Sequence, residues 1–320
     1  MVQIAASDLS FIGRGLSRPE CVVATRAGEL FVSDARGGIA SLRGDDEPEL
    51  ILATSGDIPD GFLPNGYSLM PNGDFLIANV ASGGVYTLKR DGTLVPFLLE
   101  VDGRRLVATN FANRDEQGRV WISISTWQED RDKSFRSDVA DGSIILVDER
   151  GARVVADGIG FTNENKVDPS GRWVYVHETM ARRLSRFEIR DGNALGPRET
   201  VVEYGAGNYA DGFEFDAEGG VWATMVVSNR VLRVAPDGEV SVVLDCGDPD
   251  VVAAAEAAFL SHTYNREYLN AGKHSVLGNC ASIGFGGPDL KTVYIGSLFN
   301  DKVTTFRSPI AGAVPPHWEF

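Results

Sequence analysis

Gly28-Glu-Leu-Phe-Val-Ser-Asp34 decides the fold, because the chain keeps returning to it. The same pattern, a turn glycine followed by a short β-rich run, recurs as Gly73-Asp-Phe-Leu-Ile-Ala-Asn79 and Gly118-Arg-Val-Trp-Ile-Ser-Ile124. It recurs again as Gly171-Arg-Trp-Val-Tyr-Val-His177, Gly219-Gly-Val-Trp-Ala-Thr-Met225 and, with leucine as anchor, Leu290-Lys-Thr-Val-Tyr-Ile-Gly296. The anchors lie 45, 45, 53, 48 and 71 residues apart. Most copies run on into a second strand, such as Gly83-Gly-Val-Tyr-Thr-Leu88 or Arg230-Val-Leu-Arg-Val234. A third often follows an Asp-Gly turn, as in Arg90-Asp-Gly-Thr-Leu-Val-Pro-Phe97. Asp-Gly between β-branched runs supplies the positive φ that a hairpin needs.

A unit of about 45 residues with four short strands has the size of a propeller blade. The expected fold class is therefore all-β, a six-bladed β-propeller in one domain spanning residues 1–320. The blades are expected near 20–53, 65–100, 110–157, 163–204, 211–246 and 282–320, the last completed by residues 1–13. Asp8-Leu-Ser-Phe-Ile-Gly13 has the look of a blade's last strand, and pairing it there would close the ring and protect the sheet edges. A (β/α)₈ barrel needs helical periodicity between its strands. Only Asp250-Val-Val-Ala-Ala-Ala-Glu-Ala-Ala-Phe-Leu260 has any. It lies in an insertion at 248–279, which reads as a lid over the axial mouth or as a contact with another subunit. The charged loop from Gln128 to Asp141 reads as a second lid.

Composition excludes several functions. With 45 acidic against 30 basic residues the 320-residue chain carries a net charge of −15, which disfavours nucleic acid and anionic membrane surfaces. No run approaches 18 apolar residues, the length a spanning helix needs. Met1-Val-Gln-Ile-Ala-Ala-Ser-Asp8 lacks the basic and apolar regions of a secretory signal. Cys21, Cys246 and Cys280 are odd in number and have no Cys-x-x-Cys spacing. A cytoplasmic location is expected.

The repeat also isolates a set of equivalent positions. Eight residues before each anchor stand Glu20, Asn65, Asn110, Asn163, Asp211 and Ser282. All six are polar, at the entrance to each blade's innermost strand, where pseudo-symmetry directs them at a common axis. A ring of carboxylate and amide oxygens suits a hard cation, calcium above all. No His or Cys falls on it, which argues against thiolate-type zinc or copper sites. Asn and Asp also open turns by bonding to their own backbone, but Glu20 is a poor turn residue.

These residues give the chain its resemblance, over nearly its whole length, to the senescence marker protein (regucalcin), gluconolactonase and luciferin-regenerating enzyme family of six-bladed propeller hydrolases. Pro19-Glu20, Asn110, Thr162-Asn163 running to Gly171, Ala210-Asp211-Gly212-Phe213 and Phe285-Gly-Gly-Pro-Asp-Leu290 carry it, in order. The resemblance implies that Glu20, Asn163 and Asp211 hold a divalent metal, most simply Ca2+ with Zn2+, Mn2+ or Mg2+ as alternatives. It implies that Asn110 lines the site and that Asp211 is the catalytic base activating water. The expected function is opening of a lactone by a metal-polarised carbonyl and Asp211-assisted water. No Gly-x-Ser-x-Gly elbow, P-loop or His-Glu-x-x-His competes.

The sequence departs from polyol-binding relatives where they place an arginine two residues before the third ring residue. Ala108 stands there, and Thr126-Trp127-Gln128 stands where they place an acidic residue. With the guanidinium fork gone and Phe111 and Trp127 nearby, the expected substrate is a lactone less hydroxylated than an aldonolactone. Asn110, Phe111, Trp127, Gln128 and His177 are the expected substrate contacts; a packing role is the competing reading of His177. A phosphotriesterase using the same metal, or a non-enzymatic propeller binding calcium or a protein, are the alternative functions. A small-molecule lactone or ester is the expected partner, with no nucleic acid and no membrane.

Overall fold

The computed structural model describes residues 3–44 and 47–320. All six repeat anchors occupy one kind of turn. The backbone N–H of Gly28, Gly73, Gly118, Gly171, Gly219 and Leu290 donates to the carbonyl three residues earlier, at 2.8–3.1 Å. Each anchor has φ between 53° and 89°, a region glycine enters without strain. In blades three and five the turn aspartate does further work. Asp115 and Asp216 each accept from the indole N–H six residues on, Trp121 at 2.9 Å and Trp222 at 3.0 Å. Both tryptophans are fully buried, so turn and core are tied by one carboxylate.

Among the described residues these turns connect six antiparallel sheets arranged as a propeller. Blade one comprises Val22–Ala24, Glu29–Asp34, Gly38–Arg43 and Glu49–Leu52. Blade two is built on Pro64–Leu69 to Thr93–Leu98 and gains a parallel edge strand, Ser55–Gly56. The inner strands of blades three, four and five are Thr109–Arg114, Thr162–Val167 and Tyr209–Phe215. Blade six has Cys280–Gly286, Thr292–Ser297 and Val303–Arg307. Its fourth strand is Ser10–Ile12, paired antiparallel with Val303–Arg307 as Ser10–Thr305, Phe11–Thr304 and Ile12–Val303. The ring is thus closed by the amino-terminal strand, as the sequence predicts.

The insertion forms helix α1 (Pro249–Leu260) and helix α2 (Arg266–Asn270). Asp248 caps α1 by accepting from Asp250 and Val251, and a proline occupies its first turn. Phe259, Tyr264 and Leu269 pack with Phe135, Phe161, Tyr209 and Val226. The insertion therefore sits over blades four and five against the blade-three loop. Glu256 fixes it, accepting from Arg182 at 2.7 Å and from Gly207 N at 2.8 Å. Among the described residues no helix is long and apolar enough to cross a membrane.

Candidate functional site

A shared irregularity explains how the ring residues are aimed. In five inner strands the ladder register shifts at the same place: Pro64/Tyr67, Thr109/Phe111, Thr162/Asn165, Ala210/Phe213 and Cys280/Ile283. Asn65, Asn110, Asn163, Asp211 and Ser282 each fall within that shift. A bulge frees a residue from the ladder and re-aims its side chain.

Glu20, Asn65, Asn110, Asn163 and Asp211 line one cavity of about 40 Å³. Their freedom to bind anything differs. Asn65 is committed, its Oδ1 accepting from Arg18 Nη2 at 2.7 Å and its Nδ2 donating to Asn110 O at 2.9 Å. Ser282 is also committed, accepting from Val22 N at 3.1 Å. Asn163 donates through Nδ2 to Thr179 Oγ1 at 3.0 Å, and that hydroxyl donates to Ala210 O at 2.7 Å. Asn163 Oδ1 is left shielded from solvent and without a partner, and so is Glu20 Oε2. Unsatisfied buried oxygens are costly, and two on one cavity suit a cation.

Charge tells the same story. Burial pushes the Glu20 carboxyl up, against the opposing pull of Arg18 and Arg131. Burial also drives Asp211 well above the usual carboxylate range, reinforced by Glu20 and Glu164. Glu164 lies behind the ring and is itself raised to about 7, chiefly by burial. Crowded carboxylates of this kind favour binding either protons or a cation. Among the described residues no three His, Cys, Asp or Glu side chains cluster for a metal; the candidate set is two carboxylates and an amide. That all-oxygen set fits calcium, magnesium or manganese better than a thiophilic ion.

Phe111, Trp127, Gln128 and His177 do not line this cavity. The Phe111 ring packs against Gly66, where an added Cβ would come within 1.8 Å of it, and faces a larger cavity of about 420 Å³. Trp127 donates through its indole N–H to Ser143 at 2.8 Å and lies under Arg104, 4.1 Å from the ring centre. Gln128 N closes a local turn on Thr126 Oγ1 at 3.2 Å. His177 is fully buried, with Nδ1 at 2.9 Å from Asp211 O and Nε2 at 2.8 Å from Tyr204 OH. It holds the backbone of Asp211 rather than reaching the cavity.

Burial lowers the His177 pKa to about 3, so the ring is neutral in the fold. Its unfolded value near 6.5 lies above that. Its contribution to stability is therefore complete above about pH 6.5 and is lost as pH falls toward 3. The loss is about 1.4 kcal/mol per pH unit. Urea unfolding of wild type and His177→Gln at pH 7 and 4.5 checks this; equal acid sensitivity of the two proteins would refute it.

The larger cavity lies along the same inner strands, beyond the ring, next to the carboxy-terminal segment. Arg114, Arg119 and Lys166 line it; Lys166 lies 2.9 Å from Glu214 and 3.3 Å from Glu164, and Arg119 lies 2.6 Å from Asp115. Size favours this cavity, but of the two it is the small one that carries an unpartnered carboxylate oxygen and an unpartnered amide oxygen, Glu20 Oε2 and Asn163 Oδ1, and chemistry decides. Three arginines also line the small cavity: Arg18, Arg131 and Arg266. Sequence reasoning overlooked them because Arg131 and Arg266 belong to the two non-repeating loops. The only available signal was that both loops read as lids. Arg266 pairs with Asp132 and packs over Phe135, 4.9 Å from its ring centre. The pair ties one loop to the other across the mouth.

Fold and site thus define a six-bladed propeller with an oxygen-lined axial centre under a two-part cover. Residues 18–272 match the model of the SMP-30/Gluconolactonase/LRE-like region family, and the chain belongs to that family. It is 28% identical over 256 residues to 6-deoxy-6-sulfogluconolactonase of Pseudomonas putida, an alignment covering 78% of this chain and 74% of that protein. Among solved structures it resembles the calcium-binding protein regucalcin of Agrobacterium tumefaciens, with TM-score 0.68 and 15% identity over 97% of this chain and 100% of the other. It also resembles a gluconolactonase of Xanthomonas campestris, with TM-score 0.67 and 16% identity over 92% and 88%. The two structures share the fold.

Proposed function

We propose that the protein is a divalent-metal-dependent lactonase whose centre is held by Glu20, Asn163 and Asp211. Family membership supports lactone hydrolysis, a carboxylic-ester chemistry, and the Pseudomonas putida relative carries a lactonase name. The observation that carries the metal is the pair of unpartnered oxygens, Glu20 Oε2 and Asn163 Oδ1, on a cavity shared with Asp211. A divalent cation held there supplies Lewis acidity to a carbonyl oxygen. Glu20 and Asn163 are holders only, since no proton has to pass through them. Asp211 takes a proton from the attacking water and returns it to the ring oxygen as the acyl–oxygen bond breaks, leaving a hydroxy acid. His177, by fixing the Asp211 carbonyl, keeps that carboxylate on the axis.

The substrate reading shifts in one respect. Phe111 and Trp127 lie away from the cavity, so these two do not make an aromatic mouth. Its character comes from guanidinium groups and from Phe135, Phe161 and Leu269. At about 40 Å³ it has room for an ion and water. Lactone entry therefore requires the Arg131–Phe135 and Arg266–Leu269 segments to move apart. The expected result is that exhaustive chelation abolishes lactone hydrolysis and that Ca2+ restores it, with calorimetry giving one binding site per chain. Full activity in protein shown by elemental analysis to be metal-free would overturn the proposal.

A further inference from the structure

We propose that Arg18, Arg131 and Arg266 form an oxyanion-recognition site beside the metal centre, so that the lactone opened here carries an anionic substituent remote from its ring carbonyl. This rests on the lactonase reading and narrows its substrate class.

The three guanidinium groups arrive from three separate segments and line one cavity. Arg18 is immobilised with its fork already oriented, Nη1 on Pro64 O at 3.2 Å and Nη2 on Asn65 Oδ1 at 2.7 Å. Both partners are neutral, so its charge is uncompensated by those bonds. Arg131 lies over the Phe161 ring, 4.9 Å from its centre. Its Nε is shielded from solvent and has no hydrogen-bond partner. Arg266 has Asp132 as its partner, with Nε 3.3 Å from Oδ2.

The charged groups facing Arg131 are Arg18, Arg266, Asp132, Asp211 and Glu20. Burial, then Arg266 and Arg18, push its pKa down to about 9, and Asp211 and Asp132 oppose them. Of the three carboxylates, Asp132 is engaged by Arg266, and Glu20 and Asp211 are assigned to the proposed metal centre. A guanidinium without a partner in a desolvated site is expensive to keep. A ligand oxyanion removes that cost, and a planar fork matches sulfonate, carboxylate or phosphate oxygens through charge-assisted hydrogen bonds. A neutral lactone leaves Arg131 as it stands.

The test uses matched lactones of one ring size in the calcium-loaded protein. One bears a side-chain sulfonate, one a carboxylate, one a phosphonate and one an isosteric neutral amide. The expected kcat/KM for the best anion exceeds that for the amide by about 100-fold or more, mainly through KM. Which anion leads identifies the natural substituent. Arg131→Met is expected to reduce the ratio at least about tenfold, and Arg131→Lys, which keeps charge but not the fork, to fall between. Propane-1-sulfonate binding, followed by calorimetry, should weaken in the same order. A wild-type ratio near one with vigorous amide-lactone hydrolysis overturns this inference and leaves the lactonase standing. An unchanged ratio in folded Arg131→Met also overturns it. If no lactone is opened, the lactonase reading fails instead, and loss of calorimetric sulfonate binding in Arg131→Met then decides the oxyanion site alone.

Discussion

Asp211→Asn is expected to lower kcat/KM for lactone opening by about 10³, within the 10²–10⁴ that a positioned general base contributes. The amide retains an oxygen for the metal but cannot accept the proton of the attacking water. The loss should appear in kcat with a smaller change in KM, because the interaction is made as the proton moves. The same substitution is expected to act on stability in the opposite direction. Asp211 is buried beside Glu20 and Glu164, and their charges raise its pKa further after burial itself. Removing one charge relieves that crowding, so the metal-free variant should melt above metal-free wild type. Calcium should then stabilise the variant less than wild type, by the usual linkage between affinity and melting temperature. Such opposed effects are common where a site is built against the preferences of the fold. Activity within tenfold of wild type, or a lower metal-free melting temperature, would remove Asp211 from the role assigned to it.

The repeat made most of the architecture legible, and the reason is local. Gly28, Gly73, Gly118, Gly171 and Gly219 mark turns that require positive φ, a demand visible in single residues. Leu290 meets the same demand at φ 53° without a glycine and is recognisable only by the β-rich run that follows it. Counting from those turns also located Glu20, Asn110, Asn163 and Asp211 on one cavity. The count could not say which ring members are spent on the fold. Asn65 is consumed by Arg18 and the Asn110 carbonyl, and such commitments depend on neighbouring blades. Phe111 shows a second limit. Successive residues of a strand point to opposite sides, and a bulge at this position turns Asn110 to the small cavity while Phe111 packs on Gly66. The arginines mark a third, since they belong to segments where periodicity carries no positional information.

Glu178→Gln is expected to cost about 3 kcal/mol of stability, the lower end for breaking a buried pair, because Arg183 keeps partial access to solvent. The Glu178 carboxylate is inaccessible and fully used. It accepts from Arg183 Nε at 2.7 Å, Arg183 Nη2 at 2.9 Å, Ser185 Oγ at 2.6 Å and Gly160 N at 2.9 Å. Burial alone would push its pKa up, but Arg183, Ser185 and Gly160 outweigh it and hold the carboxyl below its ordinary range. The stability it provides is therefore present at neutral pH and is lost as pH falls through that lowered value. A glutamine oxygen can still accept one or two of these bonds, but the NH₂ that replaces the other oxygen meets donors. The consequence reaches the proposed metal centre because Gly160 opens the segment that delivers Asn163, and Thr162 pairs with Glu178 across the ladder. Thr179, the next residue, is the one that orients the Asn163 amide. Loosening this corner should therefore weaken calcium binding as well as the fold, although Glu178 does not line the cavity. Urea unfolding with and without calcium, together with calorimetric affinity, separates the two effects. A stability change below about 1 kcal/mol, or a destabilised variant with wild-type calcium affinity, would show that the corner does not hold Asn163 in place.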